Sequence, residues 1–461
     1  MENSAKKNGN LVAIIVMFFI YAMISFVTNL AAPIGTIWGY QFEGNSVLGM
    51  LGNMMNFLAY LFMGIPAGNL LVKIGYKKTA LWALAVGIIG LFIQYLSSVV
   101  GAETVVMNFS STTAEGAAVT FPITLNFFIY LLGAFVCGFC VCMLNTVVCP
   151  MLNFLGGGGN RGNQLLQSAG SFNSLTGTLT PAFVGALIGV LSKDTMIGAV
   201  TPLLFIGIAI FVVAFIILCF VAIPEPNLKK GNKKVKYSHS PWNFRHTVLG
   251  VIGIFFYVGI EIGIPGTLNF YLADQGVNGA GIIGEASTIA GAIVAVYWLF
   301  MLVGRTLSGF ISGSVSSRTQ LIVVSTTAII LIIFAIFIPK TATFPVPEVI
   351  YEGGAQVPVS AFLLILCGLC TSIMWGGIFN LAVEGLGKYT AQASGIFMMM
   401  VVGGGVMPLI QNAIAHAAGY MVSYWLVVAM LAYLLFYGLI GSKNVNTDIP
   451  VDEEAVDPLN L

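Results

Sequence analysis

Charged residues are scarce in this chain of 461 residues. Asp, Glu, Lys and Arg together make up 8%, whereas a soluble globular domain has roughly 25%. So few charges exclude a soluble globule, and the near-neutral sum of +1 gives no reason to expect nucleic acid as a partner. Hydrophobic residues instead reach 58%, and the mean hydropathy is +0.96. This composition predicts an all-α polytopic membrane protein.

Groups that carry metal, redox or nucleophilic chemistry are also few. The chain has three histidines and seven cysteines. The two Cys-x-x-Cys pairs, Cys137/Cys140 and Cys367/Cys370, stand in apolar stretches without the four ligands that zinc needs. The glycine run at 156–163 lacks the lysine and the preceding strand of a phosphate-binding loop. We therefore expect no metal, no cofactor and no enzymatic activity, and we interpret the cysteines as small packing residues.

Apolar stretches long enough to cross a bilayer, which takes about 20 residues of helix, occur twelve times. The first is too long for the apolar core of a signal peptide, so we interpret it as a retained helix. The predicted spans cover residues 11–33, 47–72, 79–99, 121–149, 165–191, 200–223, 246–272, 286–311, 320–338, 358–384, 393–417 and 422–441.

The basic residues predict the orientation of these spans. With the N-terminus in the cytoplasm, sixteen of the 18 Lys and Arg residues fall in inner segments, and only Lys193 and Lys340 fall in outer ones. This asymmetry follows the positive-inside rule. It predicts that both termini are cytoplasmic, and it supports twelve spans, since a missed helix would scramble the alternation.

The two halves of the chain repeat each other around a basic segment. Gly68 and Lys77 recur as Gly309 and Arg318, 241 residues later. Internal six-helix repeats are typical of transporters whose halves rock about a central site. We expect the end of the chain to be a disordered acidic tail. The predicted divisions are a bundle at 1–223, a cytoplasmic basic linker at 224–245, a pseudo-symmetric bundle at 246–441 and the tail at 442–461.

The loop after the second span, GNLLVKIGYKK, resembles the signature loop of the major facilitator superfamily, although Val72 stands where an acid is expected. Three further stretches, at 150–181, 255–263 and 372–409, resemble the fucose/hexose:proton symporter family of that superfamily. The resemblance covers essentially the whole chain. It implies a sugar carrier of the bacterial inner membrane.

Two acids that this family uses are absent here. Span one reads FVTNLAAP, without an acid, and Asn145 stands at the position of the family's glutamate in span four. In the fucose-transporting members these acids are tied to proton coupling and sugar binding. The resemblance therefore implies sugar transport but puts coupling by the family's own pair in doubt.

Glu261 is the one acid that lies well inside a predicted span. A charge in the bilayer is costly, so such a residue is a functional candidate. Pro265 and Gly266 follow it and predict a helix break beside a cavity. We interpret Glu261 as lining the transport path and as the candidate ion-coupling residue, with a structural acid bonded to a neighbouring helix as the alternative. Tyr257, one turn earlier, shares its face.

Sugar binding requires hydrogen-bonding side chains and an aromatic face. Amides in a bundle often only bridge helices, so those in helices that line the superfamily's cavity are favoured. Trp375 occurs 230 residues after Asn145, the offset of the two cysteine pairs, and lies at mid-span rather than at an interface. The candidate sugar-binding residues are Asn29, Asn145, Asn173, Tyr257, Glu261, Trp375 and Asn412.

Arg305 and Glu384 stand at the predicted inner ends of spans eight and ten. We expect an ion pair between them. It is either an ordinary pair at helix ends or a latch of the cytoplasmic gate.

Together these features predict a transporter that takes up a hexose or deoxyhexose by alternating access, with proton symport as the mode. Two alternatives stay open. Sodium symport is one, because Glu261 and nearby backbone carbonyls could bind a sodium ion. Uncoupled facilitation is the other, because the acids that the family uses for proton coupling are missing. The expected partners are the sugar, the coupling ion and the bilayer. The expected state is a monomer in the bacterial inner membrane.

Overall fold

Helices make up most of the computed structural model, which describes residues 2–42, 46–112, 118–188, 195–225, 239–274, 279–282, 286–348, 351 and 354–451. A helix satisfies its own backbone within one segment, which a bilayer requires. The helices are α1 Glu2–Asn29, α2 Ala31–Gln41, α3 Ser46–Gly49, α4 Leu51–Ile74, α5 Tyr76–Ser97, α6 Leu125–Leu155, α7 Gly159–Ile188, α8 Thr201–Phe220, α9 Arg245–Ala273, α10 Ala286–Ile311, α11 Ser317–Phe337, α12 Val359–Thr371, α13 Met374–Ala382, α14 Thr390–Met399, α15 Gly403–Ala418 and α16 Tyr420–Phe436. The strands are β1 Val105–Thr112, β2 Ala118–Thr124, β3 Thr343–Pro345 and β4 Gln356–Pro358.

Within the described residues, 11 helical stretches are long and apolar enough to cross a membrane. They coincide with all of the predicted spans except the fifth. The fifth corresponds to α7, which is 30 residues long but carries many polar side chains. The all-α polytopic fold is confirmed, and α7 has the length but not the composition of a span.

The chain divides into two compact units. Unit 1 comprises Met1–Val148 and Leu175–Lys229, and unit 2 comprises Cys149–Ser174 and Lys230–Leu461. The end of α6 and the first half of α7 therefore pack as part of unit 2. Most of the predicted linker, residues 226–238, lies outside the described residues.

An aromatic cluster packs one end of unit 1. The ring of Phe127 on α6 lies 4.9 Å from that of Trp38 and 4.8 Å from that of Phe42. Phe42 also stacks on Phe121 at 5.5 Å. Because Phe121 lies on β2, the antiparallel hairpin of β1 and β2 is fixed to the helices. Unit 2 carries a second hairpin, formed by β3 and β4, between α11 and α12.

Helix α9 is the central element of unit 2, where it packs against α10, α13, α15 and α16. Its closest approach is to α15. There Gly403 leaves no room for a side chain, since the backbone carbonyl of Phe255 occupies that space. Small residues of this kind let two helices approach within a membrane. Most side chains on α9, Tyr257 among them, are therefore buried in protein.

Glu225 supplies a carboxylate next to the signature loop, which lacks its own. Its two oxygens accept the backbone N–H groups of Tyr76 at 2.7 Å and Lys77 at 2.9 Å, the first residues of α5. In return, Lys77 Nζ donates to the carbonyls of Cys219 at 3.0 Å and Val221 at 2.8 Å, at the end of α8. Each charge meets a helix terminus of opposite partial charge. The two side chains thus fasten the start of α5 to the end of α8.

We predict that Glu225→Ala lowers the apparent melting temperature of the detergent-solubilised protein, because two N–H groups at the start of α5 lose their acceptor. Loss of a helix cap costs about 0.5–2 kcal/mol. Glu103→Ala is the control, since it removes the same charge from an exposed side chain. Equal shifts for the two variants would contradict the reciprocal cap.

Candidate functional site

The buried acid predicted from the sequence belongs to an ion pair in unit 2. Oε1 of Glu261 on α9 lies 3.0 Å from Nη2 of Arg305 on α10. The side chains are 14% and 11% exposed, respectively. A buried charge is tolerated when it is paired and hydrogen-bonded. The pair therefore explains how both residues sit inside the bundle, and it leaves the site without net charge.

Arg305 also bonds to groups beyond its acidic partner. Its Nη1 donates to Ser174 Oγ on α7 at 2.7 Å, and its Nε donates to the backbone carbonyl of Ser372 at 3.1 Å. The rigid fork of a guanidinium suits hydrogen bonds in several fixed directions. One side chain thereby links α7, α9, α10 and the turn after α12.

The predicted pair of Arg305 with Glu384 is wrong. Arg305 lies inside α10, which continues to Ile311. The side chain of Glu384 is exposed, and its backbone carbonyl lies 2.9 Å from Nε2 of His246. The prediction failed because it assigned Arg305 to the water phase, whereas an acid inside the bundle pairs with it.

The tenth predicted span is interrupted in the middle. Helix α12 ends at Thr371, and α13 begins at Met374 after a two-residue turn. Arg305 bonds the carbonyl of Ser372, and Nε2 of Gln167 on α7 donates to the carbonyl of Ile373 at 2.8 Å. Irregular backbone at membrane depth is tolerated where it is buried in protein or lines a cavity. The turn itself contains neither proline nor glycine, and the tenth span was therefore predicted as continuous.

The break predicted at Pro265 does not occur, and α9 continues through it to Ala273. A proline lacks the N–H that would bond the carbonyl four residues earlier, which here is that of Glu261. The hydroxyl of Tyr297 lies 3.4 Å from this carbonyl. The same hydroxyl lies closer to Oγ1 of Thr371, at 2.9 Å, so its contact with the carbonyl of Glu261 is the weaker one, and the helix is nevertheless continuous.

Aromatic rings line the interruption of the tenth span. The ring of Trp375 lies 6.3 Å from that of Tyr257 and 5.9 Å from that of Phe397. Tyr257 lies one turn before Glu261 on α9. The indole N–H of Trp375 is buried and has no acceptor within the described part of the chain.

Two amides on α7 lie against the start of α13. Gln167 bonds the turn, and its Nε2 is also 3.5 Å from Oδ1 of Asn163. Asn163 is fully buried, and its Nδ2 finds no acceptor among the described residues. A buried N–H without a partner costs about 1–3 kcal/mol. Two such donors, of Asn163 and Trp375, close to an aromatic face and a neutralised ion pair, suit an uncharged ligand rich in oxygen.

The predicted amides of the first spans lie in unit 1 and have partners there. Nδ2 of Asn29 donates to the carbonyl of Ser25 at 2.8 Å, one turn earlier. Nδ2 of Asn145 donates to the hydroxyl of Tyr60 at 2.8 Å. Both bonds are of the helix-bridging or helix-local kind that amides often make in bundles.

The other two predicted amides belong to unit 2. Asn173 lies half-buried on α7. Oδ1 of Asn412 accepts a bond from Thr267 on α9 at 3.4 Å. Of the seven candidates, the structure therefore brings Glu261, Tyr257 and Trp375 together.

Sequence reasoning missed Asn163 and Ser174, and it did not assign Gln167 to the site. The fifth span was predicted to begin at residue 165, whereas α7 already begins at Gly159. The available signal was the spacing of Asn163 and Gln167, which are four residues apart and so share one helical face.

A sequence model described as the Major Facilitator Superfamily matches residues 14–408. The chain belongs to the major facilitator superfamily. It is therefore a multi-pass transporter and not an enzyme. The interrupted span and the buried pair lie within the matched region of this superfamily member.

Three relatives align with most of the chain. The glucose/galactose transporter of Brucella abortus is 29% identical and covers 96% of this chain and 97% of its own. A putative glucose/galactose transporter of Helicobacter pylori is 27% identical, over 84% of this chain and 86% of its own length. The L-fucose-proton symporter of Escherichia coli is 24% identical, over 91% of this chain and 90% of its own length.

Two solved structures share the fold. A crystal structure of the Escherichia coli fucose:proton symporter superposes with a TM-score of 0.72 at 18% identity, covering 94% of this chain and all of that one. A bacterial homologue of the iron transporter ferroportin gives a TM-score of 0.61 at 10% identity, and the match covers 92% of this chain and 98% of that one. Proteins with different cargoes thus have this architecture, and the cargo has to be argued from the site.

We predict that Arg305→Met destabilises the protein far more than the double variant Glu261→Gln/Arg305→Met. The single change leaves a buried carboxylate without its partner, which typically costs about 3–5 kcal/mol, whereas removing both charges is close to neutral. Thermal unfolding in detergent, with Glu261→Gln completing the cycle, measures the coupling. A double variant as unstable as Arg305→Met would contradict a buried pair.

Proposed function

We propose that the chain is a secondary transporter that takes up a hexose or deoxyhexose by alternating access. The observation that carries this proposal is two buried N–H donors, of Trp375 and Asn163, that have no acceptor among the described residues and lie at the helix interruption to which the ion-paired Arg305 bonds. The names of the relatives point to the same cargo, since they are transporters of glucose and galactose or of L-fucose.

The chemistry of a sugar matches these groups. Its hydroxyl and ring oxygens accept hydrogen bonds, which the N–H groups of Trp375 and Asn163 need. Its less polar face packs on an aromatic ring, and Trp375 and Tyr257 offer two. Because Arg305 is already neutralised by Glu261, an uncharged cargo fits better than an anionic one.

Glu261 is the proposed coupling residue, with the proton as the ion. Binding a proton would neutralise the carboxylate and release Arg305 from it. Arg305 also bonds Ser174 and the carbonyl of Ser372, so its release would loosen α7 and the interrupted span together. Arg305 is thereby also the proposed gating residue.

Uncoupled facilitation is the second candidate. Arg305 and Glu261 neutralise each other in an ion pair, and a facilitator needs no exchange of an ion at this pair. Span one has no acid, and Asn145, at the position of the family's glutamate in span four, donates to the neutral hydroxyl of Tyr60 at 2.8 Å. Sodium symport differs from both in requiring a cation bound beside Glu261.

We place the protein in the bacterial inner membrane, with both termini in the cytoplasm and as a monomer. The orientation follows from the uneven distribution of Lys and Arg between the two sides.

The function is tested by uptake of labelled D-glucose, D-galactose and L-fucose into proteoliposomes with a proton gradient, a sodium gradient or neither. We expect accumulation above equilibrium that needs the proton gradient, and we expect Glu261→Gln to reduce it to equilibration, because this side chain no longer binds and releases a proton. Glu103→Gln, an exposed acid, is the matched control.

Equilibration of wild type in all three conditions, unchanged in Glu261→Gln, would identify a facilitator. Accumulation that follows the sodium gradient would identify sodium symport. If none of the three sugars enters, the proposal of hexose transport fails.

A separate prediction concerns Trp375. We expect Trp375→Phe to weaken sugar binding about tenfold, the equivalent of about 1.4 kcal/mol for one lost hydrogen bond, and Trp375→Ala to weaken it further because the aromatic face is lost. Equilibrium binding of D-glucose measures both. Trp425→Phe, an exposed tryptophan on α16, is the control, and equal effects of the three changes would remove Trp375 from the site.

A further inference from the structure

The chain does not become disordered directly after α16, as the predicted tail 442–461 implied. The helix ends in a turn at Tyr437–Gly441, and the structure then describes residues 443–451 in contact with other parts of unit 2. We call this segment, residues 443–451, the clasp. The rest of the tail, 452–461, lies outside the described residues.

The clasp caps the helix that carries Glu261. The residue before the first turn of α9 is Phe244, whose side chain offers no acceptor to the helix. Oδ1 of Asn446 instead accepts the N–H of Arg245 at 3.0 Å, from 201 residues away in the sequence. The N–H of Asn446 donates to Oδ1 of Asn444 at 3.1 Å, and this local bond orients the capping residue. Asparagine is among the best residues at helix caps.

The clasp also binds the loop that leads into α14. The carbonyl of Val451 accepts the N–H of Lys388 at 3.2 Å. Gly387 has a φ of +48°, and a side chain there would collide with the carbonyl of Val451. Gly385 has a φ of +70°, and a Cβ there would lie 3.0 Å from Nδ2 of Asn444. Only glycine adopts such a backbone without strain, so this loop is shaped to receive the clasp.

The two elements that the clasp joins both lead to the site. Helix α9 carries Tyr257 and Glu261, and α14 carries Phe397, whose ring packs on Trp375. His246 already links the first turn of α9 to the carbonyl of Glu384, next to this loop. From the capped N–H and the bound loop, we propose that the clasp reinforces this link, so that the start of α9 and the loop at 385–389 move as one body and position the two helices. Its effect on transport rests on the proposed function, but the joint movement does not.

The first test is hydrogen–deuterium exchange on the full chain in lipid nanodiscs. We expect Asn446→Ala to speed exchange about fivefold both in the first turn of α9 and in the loop at 385–389, since it removes a cap worth about 1 kcal/mol. Asn446→Asp, which keeps a capping oxygen, should restore wild-type exchange. Faster exchange at α9 alone would overturn the proposal, because the loop would then be independent of the cap.

The second test separates positioning from stability. Counterflow of D-glucose is compared, per folded molecule and well below the melting temperature, for wild type, Asn446→Ala, Asn446→Asp and chains that stop after Ser442 or after Val451. We expect unchanged D-glucose affinity but a rate lowered about fivefold in Asn446→Ala and in the chain that stops after Ser442, and wild-type rates in the other two.

Two results of this second test have distinct meanings. Unchanged rates in every variant, with only a lower melting temperature, would reduce the clasp to a stabilising element and overturn the proposal. A wild type without D-glucose counterflow would count against D-glucose as the cargo in the proposed function. The exchange experiment would still decide whether the clasp joins the two elements.

Discussion

The ion pair between Glu261 and Arg305 is the constraint from which the interior of unit 2 follows. Neither charge is tolerated alone in a low-dielectric bundle, so α9 and α10 must keep the register that joins them. The other N–H groups of the guanidinium then need acceptors, which are Ser174 and the carbonyl of Ser372. The pair therefore also fixes α7 and the interruption between α12 and α13, and the aromatic rings pack around these fixed elements.

Backbone groups inside a bilayer must find partners within the protein, and side chains on other helices supply some of them. At Pro265 the carbonyl of Glu261 loses its N–H partner, yet α9 does not break, and the hydroxyl of Tyr297 on α10 lies 3.4 Å from that carbonyl. Between α12 and α13 the helix stops at residues 372–373 without proline or glycine. Arg305 bonds the carbonyl of Ser372 there, and Gln167 bonds that of Ile373, which also accepts the N–H of Gly377. A sequence read one helix at a time contains none of these donors.

What could be predicted from the sequence depended on one local property at a time. The spans were predicted from the lengths of the apolar runs. Glu261 was predicted as a functional residue because it is a lone acid within a span, and Tyr257 because helical periodicity places it on the same face. The partner of Arg305 depends on which helix faces α9, and counting basic residues treats every arginine alike. Asn163 was not predicted because the glycines before it gave no sign that α7 begins at Gly159. Asn446 was not predicted because nothing in a polar tail indicates which distant helix end its side chain caps.

The same ion pair discriminates between the proposed modes of transport. If Glu261 took up a proton while Arg305 stayed in place, one uncompensated positive charge would be left in the bundle, which costs more than the neutral pair. A proton can therefore bind only in a conformation in which Arg305 has gained another partner or water. Because Arg305 also holds Ser174 and Ser372, that exchange would move α7 and the interrupted span. Coupled transport by Glu261 thus requires the pair to open in every cycle, whereas a facilitator can keep it closed throughout.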